Sequence, residues 1–139
     1  MAVKEIKYEN NIFAINYDII NNQKEKNIVF LHGWGSNKEV MKSSFSSYLK
    51  EYRHIYIDMP GFGKSSNESV LTTNDYSQII NLFLKKIITE HSSLCAIAGH
   101  SFGGKVATLL NPKNLILLSS AGILEEKSSK VKFKIKLAK

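Results

Sequence analysis

Short apolar runs alternate with longer mixed segments along most of the chain. Residues 2–9 and 11–20 have the alternating apolar and polar positions of an antiparallel pair of strands. Later apolar runs predict further strands at 28–32, 54–58, 94–99 and 114–119, and the segments between them predict helices at about 38–51, 73–91 and 102–110. Alternating strands and helices predict an α/β fold, a mostly parallel sheet flanked by helices on both faces.

A serine stands where one predicted strand meets a helix, in Gly99-His100-Ser101-Phe102-Gly103. This pattern predicts a nucleophile held on a sharp turn, because side chains at the two glycines would collide there. The free N–H groups of the new helix then point to where an oxyanion would form. The same pattern occurs by chance in glycine-rich loops, but here the strand before it and the helix after it supply the required context.

The same segment also fits a phosphate-binding pattern, GxxxxGK, from Gly99 to Lys105. That pattern needs Ser or Thr at the next position to hold a magnesium ion, and Val106 stands there. We therefore expect no nucleotide, no other cofactor and no metal ion.

Two motifs lie upstream of the serine. In His32-Gly33-Trp34-Gly35 the glycines either leave the Trp34 N–H free to face a ligand or only shape a turn, and His32 is predicted to be a packed, hydrogen-bonded polar residue. Asp58 ends a strand before a Pro-Gly turn. Because it precedes Ser101 in the chain, we expect it to accept hydrogen bonds from the following turn rather than to serve as a catalytic acid.

Together, HGWG, DMPGFGKS and GHSFGG resemble the first half of the alpha/beta-hydrolase fold superfamily, over about residues 28–124. They are most similar to small bacterial esterases and carbon-carbon bond hydrolases, including the pimeloyl-acyl-carrier-protein methyl esterase type. The resemblance implies that Ser101 attacks an ester or a vinylogous C–C bond and forms an acyl-enzyme. It also implies that the backbone N–H groups of Trp34 and Phe102 form the oxyanion hole.

The partners of such a serine are harder to find. A serine nucleophile needs an imidazole base oriented by a carboxylate, yet residues 102–139 contain no His and no Asp. The only acids after Ser101 are Glu125 and Glu126. We expect the four histidines, His32, His54, His91 and His100, to be surface or packing residues. The chain as given is therefore expected to be a catalytically impaired serine hydrolase; the alternative is a non-catalytic binding module that keeps the fold.

The formal net charge of +7 is concentrated near the end of the sequence. Six of the nineteen Lys and Arg residues fall within 127–139, and the remaining thirteen nearly balance twelve acids. The charge therefore does not predict a nucleic-acid partner. We divide the chain into a core, 1–124, and a basic segment, 125–139, which would lead into a missing cap. Residues 131–137 alternate apolar and basic positions as a strand does, whereas the resemblance implies a helix or disorder there.

Cellular location and partners follow from what the sequence lacks. It has no apolar run long enough to cross a bilayer and no signal-peptide pattern, so we expect a cytoplasmic protein with no membrane partner. The single cysteine, Cys95, predicts a buried, reduced thiol. The expected substrate is a small-molecule ester or acyl compound. If strand 114–119 ended the sheet, its open edge would pair with more of a longer protein or with another chain, by self-association or complementation.

Overall fold

The computed structural model describes residues 1–120, so the predictions for residues 121–139 lie outside the described residues. Six strands and three helices alternate along this part of the chain. They are β1 (Ala2–Tyr8), β2 (Asn11–Ile20), β3 (Lys26–Leu31), α1 (Lys38–Phe45), β4 (Arg53–Ile57), α2 (Thr73–Ile87), β5 (Ser93–His100), α3 (Phe102–Leu110) and β6 (Leu115–Leu118). The strands form one sheet in the order β1-β2-β4-β3-β5-β6.

Pairing within the sheet changes from antiparallel to parallel. β1 pairs with β2, and β2 with β4, in antiparallel fashion, whereas β3, β4, β5 and β6 run parallel to one another. The predicted α/β fold with a mostly parallel sheet is therefore confirmed. The crossover helices connect parallel strands, and this places the carboxyl ends of β3, β4 and β5 at one edge of the sheet.

Two of the predicted helices end earlier than expected. α1 ends at Phe45, where the Ser46 N–H closes the last turn on Lys42, and Leu49 adopts a left-handed conformation with φ +51°. The serines of 46–47 favour local turns over helix, which explains the early end. α2 begins with Thr72 as its N-cap in a reciprocal pair with Asp75, and its C-cap Ile88 is extended.

The core has two layers, one on each face of the sheet. On one face α2 and α3 pack on β3 and β4; on the other, α1 packs on them through Met41. Alternate residues of β3 serve the two layers, with Val29 and Leu31 on the first and Ile28 and Phe30 on the second. Strands buried on both faces are typical of parallel sheets.

β5 contains an irregularity at Cys95. Asn27 of β3 lies opposite Leu94, but the next residue, Ile28, lies opposite Ala96, so Cys95 is an extra residue in the ladder. Leu94 and Ile97 both pack on the first layer, whereas Ala96 packs on the second. Cys95 is unpaired as a thiol but half-buried, not fully buried as predicted, because a bulged residue lies between two pairing positions.

β6 forms one end of the sheet within residues 1–120 and pairs there with β5 alone. Leu115, Ile116 and Leu117 remain 36–39% exposed. None of the helices in this same part of the chain is long and apolar enough to span a membrane.

Candidate active site

The loops that follow β3, β4 and β5 carry the three sequence motifs, and they meet at one edge of the sheet. Ser101 alone separates the end of β5 from the start of α3, and it adopts φ +51° and ψ −114°. A non-glycine residue in this backbone region is strained, as expected at the apex of a strand-to-helix turn. The side chain makes no hydrogen bond that caps α3, so the helix N-terminus is left open.

Two glycines make this turn sterically possible. A Cβ at Gly99 would collide with the backbone of Gly103 and Gly104, and a Cβ at Gly103 would collide with the carbonyl oxygens of Leu31 and His32. The first approach closes the turn, and the second brings α3 against the end of β3. As the sequence predicted, a side chain at either glycine would collide with the backbone.

The loop after β3 passes directly beside the turn. A Cβ placed on Gly33 would lie 3.4 Å from Ser101 Cβ and 3.0 Å from Nδ1 of His100. The Ser36 N–H donates to the Gly33 carbonyl at 3.2 Å, and Gly35 has φ +71°, so residues 33–36 form a tight turn. The fold thus brings Trp34, the next residue after Gly33, close to Ser101 and Phe102. We call residues 33–37 the Trp34 loop.

An aromatic cluster surrounds this junction. The Trp34 ring meets the Phe102 and Phe62 rings edge to face, with centroids 5.1 and 4.9 Å apart, and Tyr76 of α2 lies below them, 5.2 Å from Phe102. Trp34 is nevertheless 67% exposed, whereas Tyr76 is buried, and this burial raises the pKa of its phenol. The sequence analysis did not single out Phe62 or Tyr76, because neither residue carries a local signal for this contact.

His32 is a structural residue, as predicted. It is fully buried, its Nε2 accepts the Met59 N–H at 3.0 Å, and its Nδ1 therefore carries the proton and donates to the Gly33 carbonyl at 2.8 Å. Burial lowers the pKa of His32, although the bond to Gly33 and the charge of Asp58 oppose this shift. The ring is neutral and fully hydrogen-bonded, which leaves no free nitrogen for a base.

The other three histidines have different surroundings. His54 is buried at the start of β4, the end remote from the turn, where it donates to the Leu49 carbonyl at 2.9 Å and accepts from the Tyr56 hydroxyl at 2.7 Å. His91 is exposed, and His100 is exposed with its ring against Gly33. Within residues 1–120 no histidine forms a hydrogen bond with Ser101.

Asp58 is bound by both neighbouring loops. Its carboxylate accepts the Lys38 N–H at 2.7 Å, the Lys38 ammonium at 3.2 Å and the Lys64 N–H at 3.0 Å. The bond from Lys64 confirms the predicted structural role toward the following turn. Sequence reasoning missed Lys38, which is 2% exposed, because lysine is ordinarily a surface residue and nothing local marks its burial.

Comparison with known proteins places this geometry in a family. The sequence profile described as the Alpha/beta hydrolase family matches residues 28–133, more than half of the chain. The chain belongs to the alpha/beta hydrolase family. All three sequence motifs and all three site loops of this alpha/beta hydrolase lie within the matched segment.

Curated relatives of this alpha/beta hydrolase include esterases. It is 34% identical, over 68% of its own length and 37% of the relative's, to a pimeloyl-[acyl-carrier protein] methyl ester esterase of Pseudoalteromonas atlantica. It is 32% identical to a putative esterase/lipase 2 of Mycoplasma pneumoniae, over 64% of the chain and 33% of the relative. The chain thus spans about a third of the length of these curated relatives.

Solved structures show the same fold at lower identity. A thermophilic esterase from Thermogutta terrifontis matches 96% of the chain and 50% of its own length, with a TM-score of 0.75 and 18% identity. A probable hydrolytic enzyme from Pseudomonas aeruginosa matches 99% of the chain and 49% of its own length, with a TM-score of 0.74 and 20% identity. These alpha/beta hydrolase structures are about twice as long as this chain.

The polar groups at the site are backbone N–H groups and the Ser101 hydroxyl. Within residues 1–120 no group of three or more His, Cys, Asp or Glu side chains could hold a metal ion. The strained serine, the N-terminus of α3 and the Trp34 loop lie together at this edge of the sheet.

Proposed function

We propose that this chain carries the nucleophile and the oxyanion hole of a serine hydrolase that acts on a carboxylic ester. One observation carries the proposal: Ser101 is the single residue between β5 and α3, and it has a positive φ of +51°. A backbone strain of about 1–3 kcal/mol persists at functional positions where the surrounding structure imposes it. Membership of a family with esterase relatives supports the same reaction class.

The proposed reaction proceeds through an acyl-enzyme. The Ser101 oxygen attacks the ester carbonyl carbon while its proton passes to a base, and the tetrahedral oxyanion accepts the N–H groups of Trp34 and Phe102. The leaving alcohol takes a proton as the C–O bond breaks, and water then releases the acid from Ser101. One such donor is worth about 3 kcal/mol of the barrier. A vinylogous carbon-carbon bond is the second substrate class for the same attack.

We further propose that this chain alone is catalytically impaired. Both ring nitrogens of His32 and of His54 form hydrogen bonds with groups other than Ser101. Within residues 1–120, neither His91 nor His100 forms a hydrogen bond with Ser101. A serine without its base retains only the smaller acceleration that comes from the oxyanion hole and from binding. The division at residue 124 and the cytoplasmic location also remain proposals.

Covalent labelling tests the nucleophile directly. The folded chain is expected to react slowly with a fluorophosphonate probe, and peptide mass spectrometry should place the label on Ser101. The Ser101→Ala variant should lose the label, whereas Ser44→Ala, which changes an exposed serine of α1, should keep it. A label that survives in Ser101→Ala would contradict the assignment. Rapid hydrolysis of p-nitrophenyl esters that depends on Ser101 would contradict the proposed impairment.

A non-catalytic binding module is the second candidate function. The observation in its favour is that no histidine within residues 1–120 forms a hydrogen bond with Ser101, while the nearby Trp34 ring is exposed. A folded sample that never reacts with the probe would favour this candidate over the hydrolase.

We also propose that the edge of β6, which is unpaired within residues 1–120, pairs with a strand of a second copy or of another chain. Its exposed Leu115, Ile116 and Leu117 resemble an unfinished sheet edge, which tends to associate. By light scattering, the chain is expected to have a mass above that of a monomer, and Ile116→Lys should lower it because a charge would be buried by pairing. Val40→Lys, on exposed α1, is the control and should change nothing. A wild-type monomer that unfolds cooperatively would refute this proposal.

A further inference from the structure

Asp58 and its neighbour Met59 hold both ends of the Trp34 loop. Before the loop, the His32 ring accepts the Met59 N–H; after it, the Lys38 N–H and ammonium bind the Asp58 carboxylate. Two adjacent residues at the end of β4 therefore anchor both residues that flank the loop. The His32 ring also joins the two loops, because it donates to the Gly33 carbonyl and accepts the Met59 N–H.

Burial does not fix Trp34 itself. Its side chain is 67% exposed, and the ring contacts with Phe62 and Phe102 are edge contacts at its base. The Trp34 loop has one internal backbone bond, from Ser36 to Gly33. Its position relative to Ser101 thus depends on its two anchors, and of these the carboxylate of Asp58 supplies the charge-assisted bonds, which are the stronger kind.

The second loop fits tightly around the same carboxylate. The Lys64 N–H donates to Asp58, and Gly63 adopts φ +54° with its α-carbon so close that a Cβ would collide with the carboxyl group. The Ser65 hydroxyl donates to the Asp58 carbonyl at 2.6 Å and accepts the Asn16 N–H of β2 at 2.8 Å. Asp58 therefore cannot shift without moving two loops and an adjoining strand.

We propose that Asp58 is a positioning residue that fixes the Trp34 loop against Ser101. It does not touch the reacting atoms; it acts through the Lys38 backbone to hold the Trp34 N–H in place. This role rests on the proposed function only in that the N–H so held is the proposed oxyanion donor. A donor displaced by about 1 Å loses much of its effect on a reaction rate.

Trp34 provides the readout, because it is the only tryptophan in the chain. In Asp58→Asn, which keeps the side-chain volume, time-resolved fluorescence anisotropy of Trp34 should show faster and wider local motion, and acrylamide quenching should rise. Asp18→Asn is the matched control: Asp18 is also buried and also bonded to a lysine of α1, Lys42, but it holds no backbone group of the Trp34 loop. Its Trp34 signals should equal those of the wild type.

The reaction provides an independent second readout. Fluorophosphonate labelling of Ser101 should slow by about tenfold or more in Asp58→Asn and stay unchanged in Asp18→Asn, with both variants shown to be folded by circular dichroism. Equal Trp34 motion in the two variants would overturn the positioning role, whatever the labelling shows. Absence of labelling in the wild type would instead overturn the proposed function, and the Trp34 signals would still decide the role of Asp58.

If Asp58→Asn does not fold, hydrogen exchange of the wild-type chain tests whether Asp58 holds the two loops. The backbone amides of Lys38 and Lys64 should then exchange as slowly as those of β3 and β4, because the carboxylate holds them. Fast exchange at both amides in the folded chain would overturn the proposal.

Discussion

Gly103→Ala is expected to lower the free energy of unfolding by about 3 kcal/mol or more. The added methyl group would meet the carbonyl oxygens of Leu31 and His32, which belong to the backbone and cannot rotate away. Either α3 must move off the end of β3 or the sheet must distort. Urea denaturation followed by circular dichroism measures the change.

Gly104→Ala is the matched control in the same helix. Its methyl group would collide with the side chain of Ser120 and would lie 3.3 Å from the Gly99 carbonyl oxygen, a looser approach to strand backbone than at Gly103. Alanine also favours the helix by about 1 kcal/mol over glycine. We expect the smaller loss of stability for this variant. Equal losses at the two positions would show that the contact between α3 and the end of β3 is looser than the structure indicates.

The second large effect is expected at the buried ion pair of Lys38 and Asp58, whose side chains are 2% and 1% exposed. Lys38→Met and Asp58→Asn should each lower the free energy of unfolding by about 3–5 kcal/mol, because each removes one member of a buried ion pair. Lys38 would then keep only the exposed carboxylate of Glu39, 3.5 Å away, and Asp58 would keep only backbone donors. The double variant removes both charges. Its loss should therefore be about 2 kcal/mol smaller than the sum of the two single losses, measured by urea denaturation.

The ion pair of Asp18 and Lys42 serves as the comparison for this double-mutant cycle of Lys38 and Asp58. Their ion pair is short, 2.7 Å, but the Lys42 side chain is 34% exposed. Burial alone would raise the pKa of Asp18, yet the hydrogen bond and charge of Lys42 outweigh it and lower the pKa. Water screens such a pair, so the same cycle with Lys42→Met and Asp18→Asn should give a coupling below about 1 kcal/mol. Equal couplings for the two pairs would contradict an origin in burial.

Local pattern was enough to predict the strands, because each is a short apolar run that must be buried on one or both faces. It was also enough to bring Ser101, Trp34 and Phe102 to one edge, since the carboxyl ends of parallel strands meet there. Helix ends were less predictable. α1 ends at Phe45 because turn-forming serines and a left-handed Leu49 follow it. The spacing of apolar residues does not predict these local conformations.

The features that the sequence did not predict depend on distant contacts. Lys38 is buried because Asp58, twenty residues later, lies opposite it, and Tyr76 reaches the site because α2 crosses beneath the Trp34 loop. Pairing across such separations is set by the assembled sheet. A single lysine or tyrosine on an amphipathic segment has the same local signal whether it faces solvent or a partner.

The extra residue at Cys95 changes the parity of β5. Before the bulge an even-numbered residue, Leu94, faces the first core layer. After it the even-numbered residues Ala96 and Ala98 face the second layer. The bulge therefore determines which face of the sheet each residue between Cys95 and Ser101 points to. The five residues from 96 to 100 pair in regular register with β3 and β6, and this register sets the direction in which Ser101 leaves the strand.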